Sequence, residues 1–187
     1  MRGLIVLIAM FCLAGCGTIR VTAPATPADA SRVYVADFGD TARLVLPDDS
    51  DPPAYTEYGF GDWRWYAKNQ TNLLYGPVAL LVPTRGTLGR RNHDADPAWY
   101  LPDLGAEDVL AIDVDRALAR ALRTRLDEAF DAADERVHNP ERGLDFATSD
   151  HDYWLFNQSS TSVAGWLDEL GCETSGWTLV ADFELDR

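Results

Sequence analysis

Cysteine is scarce. Of three in 187 residues, Cys12 and Cys16 lie in the first sixteen positions and Cys172 stands alone near the C-terminus. That excludes a disulfide framework for the body of the chain and any site built from several thiolates. A lone Cys172 just past a predicted helix reads as apolar filler. Histidine is equally scarce, and His93, His138 and His151 are the whole supply of side chains that titrate near neutral pH. Positive charge is short too: 16 Lys and Arg face 30 Asp and Glu, a formal net charge of −14 at pH 7. Such a surface repels nucleic acid and anionic headgroups. No apolar run reaches the length of a membrane span, no segment repeats, and no pattern calls for a cofactor. The densest acidic stretch, Asp48, Asp49 and Asp51, lacks the glycine turn and later glutamate of a calcium loop; it reads as a solvated loop, and no metal is expected.

What is present begins with an address. Arg2 precedes an almost wholly apolar stretch over residues 4–13, and Leu13-Ala14-Gly15-Cys16 closes it with small residues. Those three regions make a secretory signal. The Leu-Ala-Gly-Cys tetrapeptide resembles the lipobox of bacterial lipoproteins. The resemblance implies removal of residues 1–15, a lipid on Cys16 and a membrane partner reached through that lipid. Gly17 in place of an aspartate implies, by the same resemblance, the outer membrane facing the periplasm. At ~0.8 kcal/mol per buried methylene, more than one acyl chain anchors a protein without a polybasic patch. Residues 16–31 are small, polar and proline-punctuated, which predicts a flexible tether. Residues 32–187 suffice for a single domain.

Within that domain, periodicity predicts α+β organisation. Val33 to Asp37 and Ala42 to Pro47 form a hairpin. Asp62 is placed to cap a short helix with Trp63 and Tyr66 on one face. The aromatics there, Trp63, Trp65 and Tyr66, are either core or a stacking platform for a ligand. Residues 78–83 read as a continuous apolar strand. Arg85, Arg90 and Arg91 follow, either balancing charge on a turn or offering guanidinium forks to a carboxylate or phosphate. Residues 92–105 are predicted as surface loop and 109–112 as a strand. The clearest helix spans 114–135, with Leu118, Leu122, Leu126, Ala129, Phe130 and Ala133 as its apolar stripe. Residues 136–149 read as loop and 153–156 as a strand. A second helix follows, with Val163, Ala164, Trp166, Leu167 and Leu170 at helical spacing, and a last strand alternates over 177–185.

The start of that second helix carries Gln158, Ser159 and Ser160. Orphan amides and the positive end of the helix dipole converge there, so the position serves either as a set of caps or as a seat for a nucleophile. Residues 37–47, 58–66 and 159–171 together resemble, in the same order, an uncharacterised family of bacterial envelope proteins related to circularly permuted NlpC-type cysteine hydrolases. The resemblance implies a papain-like fold, an antiparallel sheet with a few packed helices. In the family's pattern a histidine stands at the position of Thr41 and an Asn-Cys pair at that of Gln158-Ser159. Thr41, Gln158, Ser159 and Asp62 are therefore candidates for a vestigial site, and the cysteine chemistry does not carry over.

A serine hydroxyl needs a neighbouring base to attack at neutral pH, and Thr41 cannot supply one. His151 is expected near the far end of the 153–156 strand from Ser159. Three functions follow. The first is a non-catalytic lipoprotein on a papain-like scaffold. The second is a serine-dependent hydrolase or acyltransferase acting on cell-wall peptide or lipid. The third is a module that binds an envelope component through the 58–66 aromatics and the three arginines.

Overall fold

The computed structural model describes residues 17–25, 27–72 and 75–186. The predicted signal segment and Cys16 lie outside the described residues. The main sheet has seven strands, all antiparallel to their neighbours: β2 (Ala30–Asp37), β3 (Ala42–Pro47), β4 (Tyr55–Asp62), β5 (Thr84–His93), β6 (Asp108–Asp115), β7 (Arg136–Asn139) and β8 (Leu144–Tyr153). Their spatial order is β6-β2-β3-β4-β5-β8-β7. A small second sheet sets β1 (Ile19–Thr22) between β9 (Glu173–Ser175) and β10 (Phe183–Leu185). Among the described residues four helices accompany them: α1 (Tyr75–Leu81), α2 (Pro97–Asp103), α3 (Arg116–Asp131) and α4 (Ser159–Glu169). A single π-helical turn, Trp63–Ala67, follows β4. The chain is thus α+β, with a large antiparallel sheet and a few helices.

Side chains alternate across the strands, so β3 contributes Ala42, Leu44 and Leu46 to one face and Arg43 and Val45 to the other. All six of its residues are buried, because both faces are covered. On the first face α3 and α4 lie over the sheet. Leu122, Leu126 and Phe130 from α3, Val163, Trp166 and Leu167 from α4, and Leu170 just past it join Leu44, Tyr58 and Ile112 in the main core. Side chains of this size stabilise by about 1.5–3 kcal/mol each when fully buried. Asp115 starts α3 by accepting the amides of Ala117 and Leu118 at 2.8 and 3.4 Å. On the second face two smaller apolar groups form, one around Tyr34, Val45 and Leu101, the other around Trp63, Tyr66 and Phe146.

Several expectations need correction. The stretch before Arg32 is not a tether: Ile19 and Val21 are buried in the main core, and β1 pairs with strands from the far end of the chain. Residues 78–83 are not an apolar strand; they fall in and just after α1, with Val78, Leu81 and Val82 exposed. The strand comes next, as β5, whose backbone pairs with β4 on one side and β8 on the other. Residues 136–149 hold β7 and most of β8 instead of a loop, and α2 interrupts the predicted loop at 92–105. The strand ends at Tyr153, and residues 154–157 make a tight turn in which Trp154 and Asn157 bond each other. Leu118 is exposed and Ala119 takes its place in the stripe of α3. Of the predicted last strand only Phe183–Leu185 forms.

Candidate functional site

The seat at the start of α4 is closed. Gln158 caps the helix: its Oε1 accepts the Ser160 amide at 2.7 Å, and its own amide N–H donates to Thr161 Oγ1 at 2.8 Å. Ser159 is 4% exposed. Its Oγ accepts the Ala42 amide at 3.4 Å and donates to Gln158 Oε1 at 3.4 Å. Both are long bonds at the edge of useful geometry. Gln158 Nε2 donates to the Thr178 carbonyl at 2.7 Å, and Ser160 Oγ donates to the Val180 carbonyl at 2.9 Å. The Ala181 amide in turn donates to Gly39 O at 2.9 Å. A strap of residues 178–181 is thereby stitched from the helix start to the β2–β3 turn.

Thr41, 5% exposed, is the neighbour of the residue that touches Ser159, and it lines a small depression with Arg43, Gly61, Tyr66 and Arg142. Contact between the two segments runs through the Ala42 backbone. None of the three histidines bonds Ser159. His138 Nδ1 lies 2.8 Å from Asp145 Oδ1, and His93 belongs to the buried cluster described below. His151 sits on a bulge of β8, where Ser149, Asp150 and His151 are looped out opposite Gly86 between the Arg85–Asp152 and Thr87–Thr148 pairs. A side chain at residue 86 would collide with the His151 carbonyl, so a glycine is required there.

That bulge turns His151 into a groove between α3 and α4. The groove holds about 340 Å³, with Phe60, Leu126 and Trp166 in its apolar lining and Asn157 and Thr161 among its polar residues. Bulges often re-aim a side chain beside a binding site. A second recess of about 230 Å³ shares Leu88, Ala129, Ser149 and His151 with it. Sequence reading named His151 only as a distant base. The looped-out residues that aim it were hidden because nothing in Ser-Asp-His distinguishes a bulge from a loop.

The remaining candidates are dispersed. Asp62 is buried and fully engaged, accepting from the Trp65 amide at 2.7 Å, the Tyr75 hydroxyl at 3.0 Å and the Thr84 hydroxyl at 2.6 Å. Trp63 and Tyr66 are core, and Trp65 packs beside them against Gly76. The three arginines do not converge. Arg85 pairs with Glu135 at 2.6 Å, Arg90 pairs with Asp127 and Asp131 over the Phe130 ring, and Arg91 pairs with Glu57 at 2.7 Å. Arg90 and Arg91 are consecutive in β5, so they point to opposite faces.

The strongest electrostatic feature was not anticipated. Glu57, fully buried, meets Arg43 at 2.6 Å, Arg91 at 2.7 Å and His93 at 3.1 Å. Burial by itself would raise the carboxyl, but the bond from His93 and the charges of Arg43 and Arg91 outweigh it and hold Glu57 at about 2. His93 Nε2 is also 3.0 Å from Arg91 Nε, and the ring stacks on Tyr100 at 3.8 Å. Glu57 of β4, the Arg-Asn-His run of β5 and Arg43 of β3 carry this cluster, but only the pairing of Glu57 with Arg91 makes it visible.

Among the described residues no group of His, Cys, Asp and Glu has the arrangement of a metal site, and no helix is long and apolar enough to cross a membrane. No family model, curated protein or solved structure matches the chain.

Proposed function

We propose that this chain is a lipid-anchored envelope protein that keeps a papain-like, circularly permuted scaffold without its hydrolytic chemistry. The observation that carries the reading is the state of Ser159: buried beneath the 178–181 strap, its hydroxyl rests between a backbone amide and a glutamine, with no imidazole to take its proton. A nucleophilic serine needs that base within about 3 Å. The meeting of Ala42 with Ser159 supports the aligned order of the two segments, since their counterparts would hold the histidine and the cysteine. What the scaffold retains is room: the groove between α3 and α4, at the small end of the range for small-molecule sites, would accommodate a modest envelope component.

The test uses the full-length mature protein. Incubation with a serine-directed fluorophosphonate should leave its intact mass unchanged, and cell-wall peptides and phospholipid esters should not be turned over. Labelling of Ser159, or a hydrolysis or acyl-transfer rate that vanishes in Ser159→Ala, would establish the serine-hydrolase reading instead. The anchor is tested separately by the mass of the N-terminal peptide, which should carry acyl chains in the wild type and none in Cys16→Ala. An unmodified N-terminal peptide from envelope-derived protein would remove the lipoprotein part of the proposal.

A further inference from the structure

The chain carries an apolar patch that no element among the described residues covers. Leu81 is 63% exposed, Phe156 60% and Trp154 37%, and Val78 and Val82 are also open to solvent. These residues come from two places that the fold brings together. The turn at 154–157 is tied to the end of α1 by the Leu155 amide, which donates to the Leu80 carbonyl at 2.9 Å. Val78 and Leu81 share one side of that helix, and Val82 follows directly, its amide donating to the Val78 carbonyl at 2.9 Å. Trp154 and Phe156 stack edge to face at 5.1 Å, and Phe156 lies 6.1 Å from the Trp177 ring. Exposed apolar clusters of this kind mark docking surfaces.

The position of Gly17 identifies the occupant. Gly17 packs so tightly on the Trp177 carbonyl that a side chain there would collide with it. Gly176, with φ +96°, packs equally close on the Thr18 carbonyl. Residue 17 is therefore pinned beside Trp177, and Trp177 borders Phe156. Cys16 is one peptide unit, about 3.8 Å, from Gly17.

We infer that the Leu81–Phe156 patch is immersed in the headgroup boundary of the membrane that holds the lipid, so that the domain rests on the bilayer in one orientation instead of swinging on a leash. This inference rests on the proposed lipidation of Cys16. The chemistry fits: tryptophan and phenylalanine favour the interface, and an apolar face inserts about 5–10 Å into it. The formal net charge of −14 selects a zwitterionic surface over an anionic one.

The experiment reconstitutes the full-length acylated protein into phosphatidylcholine vesicles with and without brominated acyl chains, and reads tryptophan emission. Bromolipid should quench the wild type, and Trp154→Phe should remove more than half of the quenching. Leu81→Ser with Phe156→Ser should reduce it at least twofold while the protein still floats with the vesicles. Because these side chains are exposed, thermal unfolding should be unchanged, and Val82→Ser supplies an independent variant. Replacing a third of the lipid with phosphatidylglycerol should weaken the quenching.

Equal emission in both vesicle types, or quenching indifferent to the serine variants, would overturn the inference and leave the patch to a protein partner. Failure of the anchor reads differently: the protein would neither float nor carry acyl mass, and the inference would fall with its premise.

Discussion

Glu57 is the residue on which the second face of the sheet depends. Its fully buried carboxylate gathers Arg43, Arg91 and His93 between two apolar groups. Removing one member of a buried pair leaves the rest uncompensated, so Glu57→Gln should cost about 3–5 kcal/mol, measured by urea denaturation. The sign with pH follows from its low value. A carboxyl held at about 2 in the folded chain, against an ordinary 4.5, lends stability that is whole above pH 5 and lost as pH falls through 4.5 towards 2. The acid limb of wild-type stability should therefore be steep by about 3 kcal/mol and flattened in the Gln variant. An unchanged acid limb in Glu57→Gln would mean the carboxylate plays no such part. Ser159 offers the contrast: its two long bonds make Ser159→Ala worth no more than about 1 kcal/mol. Cys172, buried and pushed up to about 11 by burial and then by the Asp168 charge, should resist alkylation by a maleimide at pH 7 until the chain unfolds.

At the level of elements, the sequence was legible where its period was clean. The β2–β3 hairpin and the apolar spacing of α4 stand as read, and Asp62 caps the turn that follows it. It was illegible where neighbours decide. β5 reads Thr-Arg-Gly-Thr-Leu-Gly-Arg-Arg-Asn-His, a poor strand by propensity, and it forms because β4 and β8 pair with it on both edges. The apolar run before it looked like the strand, yet short apolar runs do not separate helix from strand by periodicity alone. Reading the arginines as a turn cluster followed from that one misplacement. Helix α3 forms inside the expected 114–135 but only over Arg116–Asp131, and at one position its inner face differs, because Leu118 lies outside it while Ala119 packs inward. The bulge in β8 has its own test. Gly86→Ala sets a methyl against the His151 carbonyl and the Phe60 ring, so it should destabilise by about 1–3 kcal/mol and reshape the α3–α4 groove. A melting temperature equal to wild type would show that the bulge yields freely.

For the molecule as a whole, the expected leash between lipid and domain does not exist among the described residues. Short polar segments with prolines suit a tether, and residues 17–31 have that composition, but Ile19 and Val21 at alternate positions were enough to recruit a sheet. The strands that complete it come from the last fifteen residues: β10 runs parallel to β1 with Ile19 beside Phe183, and the Asp186 amide donates to the Val21 carbonyl at 2.9 Å. The two ends of the fold are thus one structural unit. Trimming the chain after Gly171 would strip β1 of both partners and lift the cover from Gln158 and Ser160, so a shortened protein should be cleaved by added protease at residues 17–29, more than a hundred positions from the cut. For the same reason, tension applied through the lipid proposed on Cys16 would be borne by the tail, and a bulky fusion added behind Asp186 would be felt at β1.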